Sequence, residues 1–452
     1  MDLASKSTSI SIFRKNQKLF RPLYIVCLLI ILIFGTSYGF LFKFQIYNSA
    51  DKYFNSLGYP SKMRDNGILK ESLKLLSYYK LNLPFADKFN IDTFDVEIKF
   101  KNLYKIYNKK NEALKIGSLI NSDNDYVSAK INHLGRKIPV KMRLKGDMLD
   151  HLEGRKWSYR VKTKGSDHFQ GLRVFSIQHP MTRGYQWEPL FYTFLRSLSI
   201  ITPRYFFNNM TLNGEDIGIM AIEEHFSKEV LESQNRRESV ILRFDESESR
   251  SGLLDGSAHS HMAQNAYIKP FRSSKILKKE NLKNIYLNSL GRIQEYLKGN
   301  LDSSKVFNLD AMATYIAACE IWDAEHGMWW TNMRFYVNPI TMLLEPIAFD
   351  NESLHFNQGT NLLYHSANSI FPVSTLMQDL DFRKRVSLKL KEISKVIKEK
   401  DLWSKIKTEE KKLRSILSVE FPFIFKVPIQ KYQQRLERLL MVKPEDMLYE
   451  KR

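Results

Sequence analysis

From Leu23 to Leu41 the chain runs for nineteen residues without a charge, and Leu, Ile, Val and Phe dominate the run. A helix of that length, rising about 1.5 Å per residue, spans about 28 Å, close to the thickness of a hydrocarbon core. Tyr24, Tyr38 and Phe40 fall near its ends, where aromatic rings favour the membrane interface. Residues 51–87 change to helical spacing, with Leu69, Leu73, Leu75 and Leu76 near one face. From Phe94 the period drops to two. VEIKFKNLYKIY, DYVSAKIN, KIPVKMRLKG and WSYRVKTKG each alternate apolar and polar positions between turn signals, which predicts a mainly antiparallel sheet.

A helix is expected from about Trp187 to Leu198, then a strand pair in FFNNMTLNGEDIGIMAIEEHF that turns at Asn213-Gly214. Residues 243–265, rich in Ser, Glu and His, read as a loop, and KPFRSSKILKKENLK reads as an exposed basic connection. Phe307 to Trp322 predicts a buried helix. NMRFYV and LLEPIAF predict a hairpin around Asn338-Pro339, and Lys-rich amphipathic helices follow Phe371. No internal repeat is present. The order of elements predicts an α+β fold with a helical C-terminal part, preceded by one transmembrane helix.

The length of 452 residues allows one large domain or two ordinary ones. A hydrophobic content of 43% with only 19 Gly and 14 Pro excludes a collagen-like or wholly disordered chain. Two cysteines exclude a disulfide scaffold; Cys27 lies in the uncharged run and Cys319 in the expected buried helix, so both are predicted to be free thiols. The net charge of +20 points to anionic partners without choosing among them. Lys6, Arg14, Lys15, Lys18 and Arg21 stand against one acid, Asp2, on the N-terminal flank of the apolar run. That asymmetry predicts an N-in, single-pass (type II) protein with the following domain on the non-cytoplasmic side, and the Lys-, Ile- and Asn-rich composition suggests a bacterial inner or cytoplasmic membrane. The run exceeds the apolar core of a cleaved signal peptide and lacks a small-x-small site close behind it, which favours a retained anchor. The expected division is a basic tail at 1–22, the anchor at 23–44, a helical stalk or cap at 45–93, a main domain at 94–372 and a helical subdomain at 373–452.

The chemistry-bearing residues concentrate between Trp322 and Glu352, where Asp323, Glu325, His326, Asn332 and Asp350 occur. The predicted hairpin brings Asn332 and Asp350 to neighbouring strand ends. Phosphoryl transfer needs such a set: a carboxylate to orient the attacking hydroxyl, and an amide oxygen with a second carboxylate to hold magnesium on the phosphates. It also needs a base to neutralise phosphate charge, and Arg143, Lys145, Lys156, Arg160 and Lys162 occur on the alternating strands.

From Val140 to Glu352, about half of the chain, the sequence resembles the CotH-like (spore-coat protein H type) atypical kinases. The likeness rests on MRLKGD, RKWSYRVKTK, GLRVFSIQHP, the hairpin MTLNGEDIGIMAIEEHF, and WDAEHGMWWTNMRFYVNP followed by EPIAFDNES, in that order. The resemblance implies an atypical protein-kinase-like fold that uses ATP and Mg²⁺ or Mn²⁺. It places a catalytic carboxylate at Asp323 and metal ligands at Asn332 and Asp350. It makes Lys162 or Arg160 the phosphate-contacting base, with Glu223 or Glu224 as its acidic partner. Ala348 stands where the family's terminal motif has its first Asp, and the interval from Asp323 to Asn332 is longer than the family's.

The leading expectation is therefore a membrane-anchored kinase that phosphorylates a protein or glycan hydroxyl. The rival is a non-catalytic scaffold that holds an anionic envelope polysaccharide in the same basic cleft, which Ala348 and the exported topology favour. A nucleic-acid role accounts for the charge but fits poorly with a tethered, non-cytoplasmic domain that lacks a nucleic-acid motif. His259 and His261 form an HxH pair in a Ser-rich stretch, weak grounds for a metal site. Trp329 and Trp330 read as packing residues or a glycan platform.

Overall fold

The computed structural model describes residues 91–146, 148–245, 267–351, 371–421, 424 and 426–447. The expected anchor at 23–44, the stalk up to residue 90, most of the 243–265 loop and the HxH pair lie outside the described residues. Among the described residues, no helix is long and apolar enough to cross a membrane.

Strand alternation builds the first half. In β2 (Val127–His133), Val127, Ala129 and Ile131 are buried, and in β3 (Arg136–Leu144), Ile138, Val140, Met142 and Leu144 are buried. These strands join β1 (Thr93–Glu97), β4 (Tyr159–Thr163), β5 (Val174–Gln178), β6 (Tyr205–Leu212) and β7 (Glu215–Glu224) in a closed barrel of order β1-β2-β3-β4-β5-β7-β6. Every pair is antiparallel except β1 with β6, which closes the ring in parallel. The barrel interior holds Met142, Val161, Phe175, Ile177 and Ile222 among its core residues. The β6–β7 hairpin turns through Asn213 (φ 52°) and Gly214 (φ 82°), the two positive-φ positions of a type I′ turn.

VEIKFKNLYKIY is not one strand. It splits between β1 and the helix α1 (Phe100–Ile116), which ends at Gly117 with φ 86°. The alternation in this segment is short, and the Lys- and Leu-containing stretch after it carries a buried Ile106 and Ala113 seven residues apart, a helical interval. The C-terminal glycine, whose N–H bonds the Ala113 carbonyl at 2.8 Å, is the punctuation that marks the helix.

The second half follows α2 (Trp187–Ser197) and the short α3 (Lys228–Glu232). A four-stranded sheet of order β11-β10-β8-β9 uses β8 (Ile241–Asp245), β9 (Tyr267–Pro270), β10 (Arg334–Val337) and β11 (Leu344–Ile347). The basic segment expected as a connection forms β9, then α4 (Ser273–Lys278) and α5 (Glu280–Leu297). Tyr267 and Ile268 start that strand, and the helix α5 buries Leu282 and Ile293 beneath its charged surface. Helix α6 (Leu309–Trp322) is apolar nearly all round and buried, capped by the Asn308 side chain. It packs against α8 (Leu380–Glu399) and α10 (Ile429–Leu439), with α7 (Val373–Leu376) and α9 (Leu402–Ser418) completing the helical part. Cys319 is a free buried thiol. Trp330 is buried, so it packs rather than offering a platform.

Candidate active site

The polar side of the barrel wall positions the site. Arg143 faces Arg160, Arg160 faces Ser176, and Ser176 faces Glu223 across four adjacent strands. Direct cross-strand neighbours share a face, so this row lies opposite the apolar interior. One residue beyond β3, Lys145 reaches the same face. Its Nζ lies 2.9 Å from Glu223 Oε2 and donates to Gln178 Oε1.

Glu223 is shared. Its Oε1 accepts from Arg183 Nε at 3.2 Å, and Arg183 Nη1 reaches Asp350 Oδ1 at 2.7 Å. Arg183 is the last residue of a 3₁₀ turn, Pro180–Arg183, that starts at His179 and stops at Gly184 with φ 63°. Its guanidinium lies 5.0 Å from the centre of the Phe349 ring. His326 Nδ1 stands 3.4 Å from the same oxygen of Asp350, and the Asn332 amide donates to the His326 carbonyl at 2.9 Å. A continuous line thus runs from Lys145 through Glu223 and Arg183 to Asp350, with His326 and Asn332 beside its end.

Burial makes these charges expensive, which marks a functional site more than a stabilising one. Lys145 is pushed down to about 8 by burial, against the pull of Glu223. Burial alone would raise Glu223, but Lys145, Arg183 and Arg160 hold it at about 2. Arg160 is lowered to about 10 by burial, with Glu223 opposing. Glu188, whose carboxylate accepts the Asn351 N–H at 3.1 Å, is raised by burial to about 8 despite Arg183 nearby. Asp350 has φ 52°, a left-handed conformation that Asp tolerates but that costs energy.

The expected residues divide. Asn332 and Asp350 come together through His326, and Glu223 joins them through Arg183. Arg160 lies in the same cross-strand row. Lys162 lies elsewhere, 3.3 Å from Asp123 and 4.1 Å over the Tyr126 ring. Glu224 is engaged by Arg204 at 2.6 and 3.0 Å. Asp323 caps the C-terminal end of α6 with φ 57°, and its carboxylate contacts Arg435 at 3.5 Å and Lys431 at 4.0 Å, both from α10.

Of the line, Lys145 was one of five basic candidates on the alternating strands and not the favoured one, and Arg183 was not singled out by the sequence. Lys145 carried a signal, because it extends the parity of Arg143 by one pleat. Arg183 carried none, since a 3₁₀ turn far from the other residues has no periodicity to read.

The sequence profile of the family described as CotH kinase protein matches residues 142–440, about two thirds of the chain. The chain belongs to the CotH kinase protein family. As a CotH kinase protein it carries the whole line from Lys145 to Asp350 inside the matched segment, together with Asp323 and the α10 residues that contact it. β1, α1 and most of the β2–β3 hairpin precede that segment. A comparison with curated proteins finds no match.

Proposed function

We propose that this protein is a phosphotransferase that moves the terminal phosphoryl group of ATP to a hydroxyl of a protein or glycan. The observation that carries the reading is the buried Lys145–Glu223 pair linked through Arg183 to Asp350. A lysine fixed by a carboxylate, near a second carboxylate able to hold a metal, is the arrangement phosphoryl transfer requires. Lys145, rather than Lys162, supplies the phosphate-facing charge in this reading, with Arg160 beside it.

The donor chemistry fits a hard divalent cation. Mg²⁺ takes only one or two protein carboxylates and completes its shell with phosphate and water, so a cage of three acidic or imidazole groups is not needed. Among the described residues no such cage occurs. Asp350 would supply one oxygen. Asn332 has its Nδ2 committed to the His326 carbonyl, so its Oδ1 is the atom it would offer. Asn351 Oδ1, next in sequence to Asp350, is buried without a hydrogen-bond partner. When bound, the cation would neutralise charge on the phosphates and orient them. Arg183 holds the Asp350 carboxylate in place, Glu223 keeps Lys145 charged and aimed, and Asp323, steadied by Arg435 and Lys431, would orient the attacking hydroxyl.

This reading includes residues 23–44 as the membrane anchor, with the domain on the non-cytoplasmic side. The test is transfer of labelled phosphate from ATP by the full chain in detergent, to itself or to envelope extracts. Lys145→Met should lower the rate by about 10²-fold or more while the circular dichroism spectrum is kept. Wild-type protein with no transfer and no nucleotide binding would abandon the reading. The polysaccharide scaffold would then lead, supported by Ala348 and by the engagement of Asp323 with α10.

A further inference from the structure

We propose that the solvent-facing side of α1 is a docking surface for an anionic lipid bilayer, independent of the phosphoryl-transfer site. Phe100, Tyr104, Tyr107 and Leu114 recur at intervals that put them on one stripe of the helix, and they are 82, 57, 46 and 51% exposed. The buried side of the same helix is carried by Ile106 and Ala113. Ile116, the last residue of the helix, and Ile120 beyond its end are exposed apolar residues as well. Six of the sixteen exposed large hydrophobic residues in the described structure thus fall within residues 100–120. Single exposed apolar residues are ordinary; a concentrated stripe marks a surface that meets something.

Charge identifies what it meets. α1 carries Lys101, Lys105, Lys109, Lys110 and Lys115 against one acid, Glu112. At about 100° per residue, Lys115 and Lys101 follow one edge of the stripe, Lys105 lies farther round on the same solvent-facing side, and Lys110 borders the other edge. Lys109 pairs with Glu112 at 3.0 Å, whereas Lys101, Lys105 and Lys115 form no ion pair with another described residue. Aromatic and aliphatic groups flanked by lysines are the composition of helices that lie in the interface plane, with rings among the headgroups and ammonium groups at the phosphates. A polar or acidic protein surface would leave the Phe100 and Leu114 side chains without apolar contact.

Position agrees. The uncharged run at residues 23–41 precedes α1 in the same chain. With that run in the bilayer, tethering raises the local concentration of lipid so that a weak interface suffices. α1 also precedes the segment matched by the family profile, so its surface is not required by the kinase-like core.

The test uses the full chain with Cys27→Ser, leaving the buried Cys319 out of reach, and a fluorophore at Tyr104→Cys. The protein is reconstituted into vesicles of phosphatidylcholine, with or without phosphatidylglycerol, containing lipids brominated in the acyl chain. In anionic vesicles the label should lose about half or more of its fluorescence, as expected for a ring-depth position. High salt, or Lys101→Glu with Lys105→Glu and Lys115→Glu, should restore the signal while nucleotide binding is unchanged. A label at Ile340→Cys, 71% exposed on the β10–β11 turn, should not be quenched. Absence of quenching in anionic vesicles overturns the proposal, as does equal quenching in both lipid compositions or at both labels. Shielding of the Tyr104→Cys label in detergent also overturns it, assigning the stripe to another segment of the chain if independent of concentration and to a second copy if not.

Discussion

Lys145, Glu223 and Arg183 are 8, 2 and 6% exposed, so removing one charge strands its partners in a poorly solvated place. Glu223→Gln should therefore lower stability by about 3–5 kcal/mol, read from urea unfolding, and should also weaken nucleotide binding. Glu188 works in the opposite sense with pH. Its folded value of about 8 lies above the ordinary 4.5, so the folded protein holds the proton more tightly than the unfolded chain. The group's contribution to stability is full below pH 4.5 and fades as pH rises to about 8. Glu188→Gln keeps an oxygen for the Asn351 N–H and cannot ionise. The variant should be more stable than wild type at pH 9 and lose that advantage at pH 5; equal midpoints at both would contradict the assignment. Asp323 is the residue where resemblance and contacts pull apart. Asp323→Asn should reduce transfer by about 10²-fold or more with ATP affinity nearly kept if it orients the hydroxyl. A fall in stability alone would leave it as the anchor of Arg435.

At the scale of elements, adding one methyl group to a turn glycine tests how much room each connection has. Gly214 stands at φ 82° with open space around the position of a Cβ, so Gly214→Ala should cost only about 1 kcal/mol of conformational strain. Gly327, between α6 and β10, is different. A Cβ there would overlap the Asn351 amide and lie 2.7 Å from the Tyr315 hydroxyl, which donates to the Gly327 carbonyl at 3.0 Å. Gly327→Ala should displace Asn351 and with it Asp350, weakening metal-dependent ATP binding by about tenfold or more in a calorimetric titration.

The same elements show what the sequence could reveal. β2, β3, the Asn213-Gly214 hairpin, α2 and α6 were legible because each has one face, or both, committed to a core. VEIKFKNLYKIY was misread because four or five alternating positions satisfy a strand as well as the first turns of α1. The parallel β1–β6 pairing that closes the barrel joins residues more than a hundred apart, and no local pattern encodes it. The pair Asn332 and Asp350 was legible from the hairpin, whereas the Lys145–Glu223–Arg183 line depends on a strand end and an irregular turn.

For the whole molecule, the line from Lys145 to Asp350 runs from the barrel wall to the end of β11 in the second sheet, and the proposed chemistry lies along it. The interior of that barrel is filled by side chains, so the proposed phosphate site uses its polar outer face. The net charge of +20 suits phosphate-rich partners, and the lysine-edged stripe of α1 adds a second use for it. These two uses separate experimentally, because one depends on nucleotide and the other on lipid.

Binding of ATP through a cation held at Asp350 can be read in a thermal-shift titration of the full chain with ATP, in Mg²⁺ and in chelator. Ligand at about 100 times its dissociation constant should stabilise the fold by about 2.7 kcal/mol, enough to raise the midpoint by a few degrees. Metal-dependent ATP binding at Asp350 should give a shift that needs the metal and disappears in Asp350→Ala. A midpoint unmoved by ATP in Mg²⁺ or Mn²⁺, or moved equally in Asp350→Ala, would contradict it.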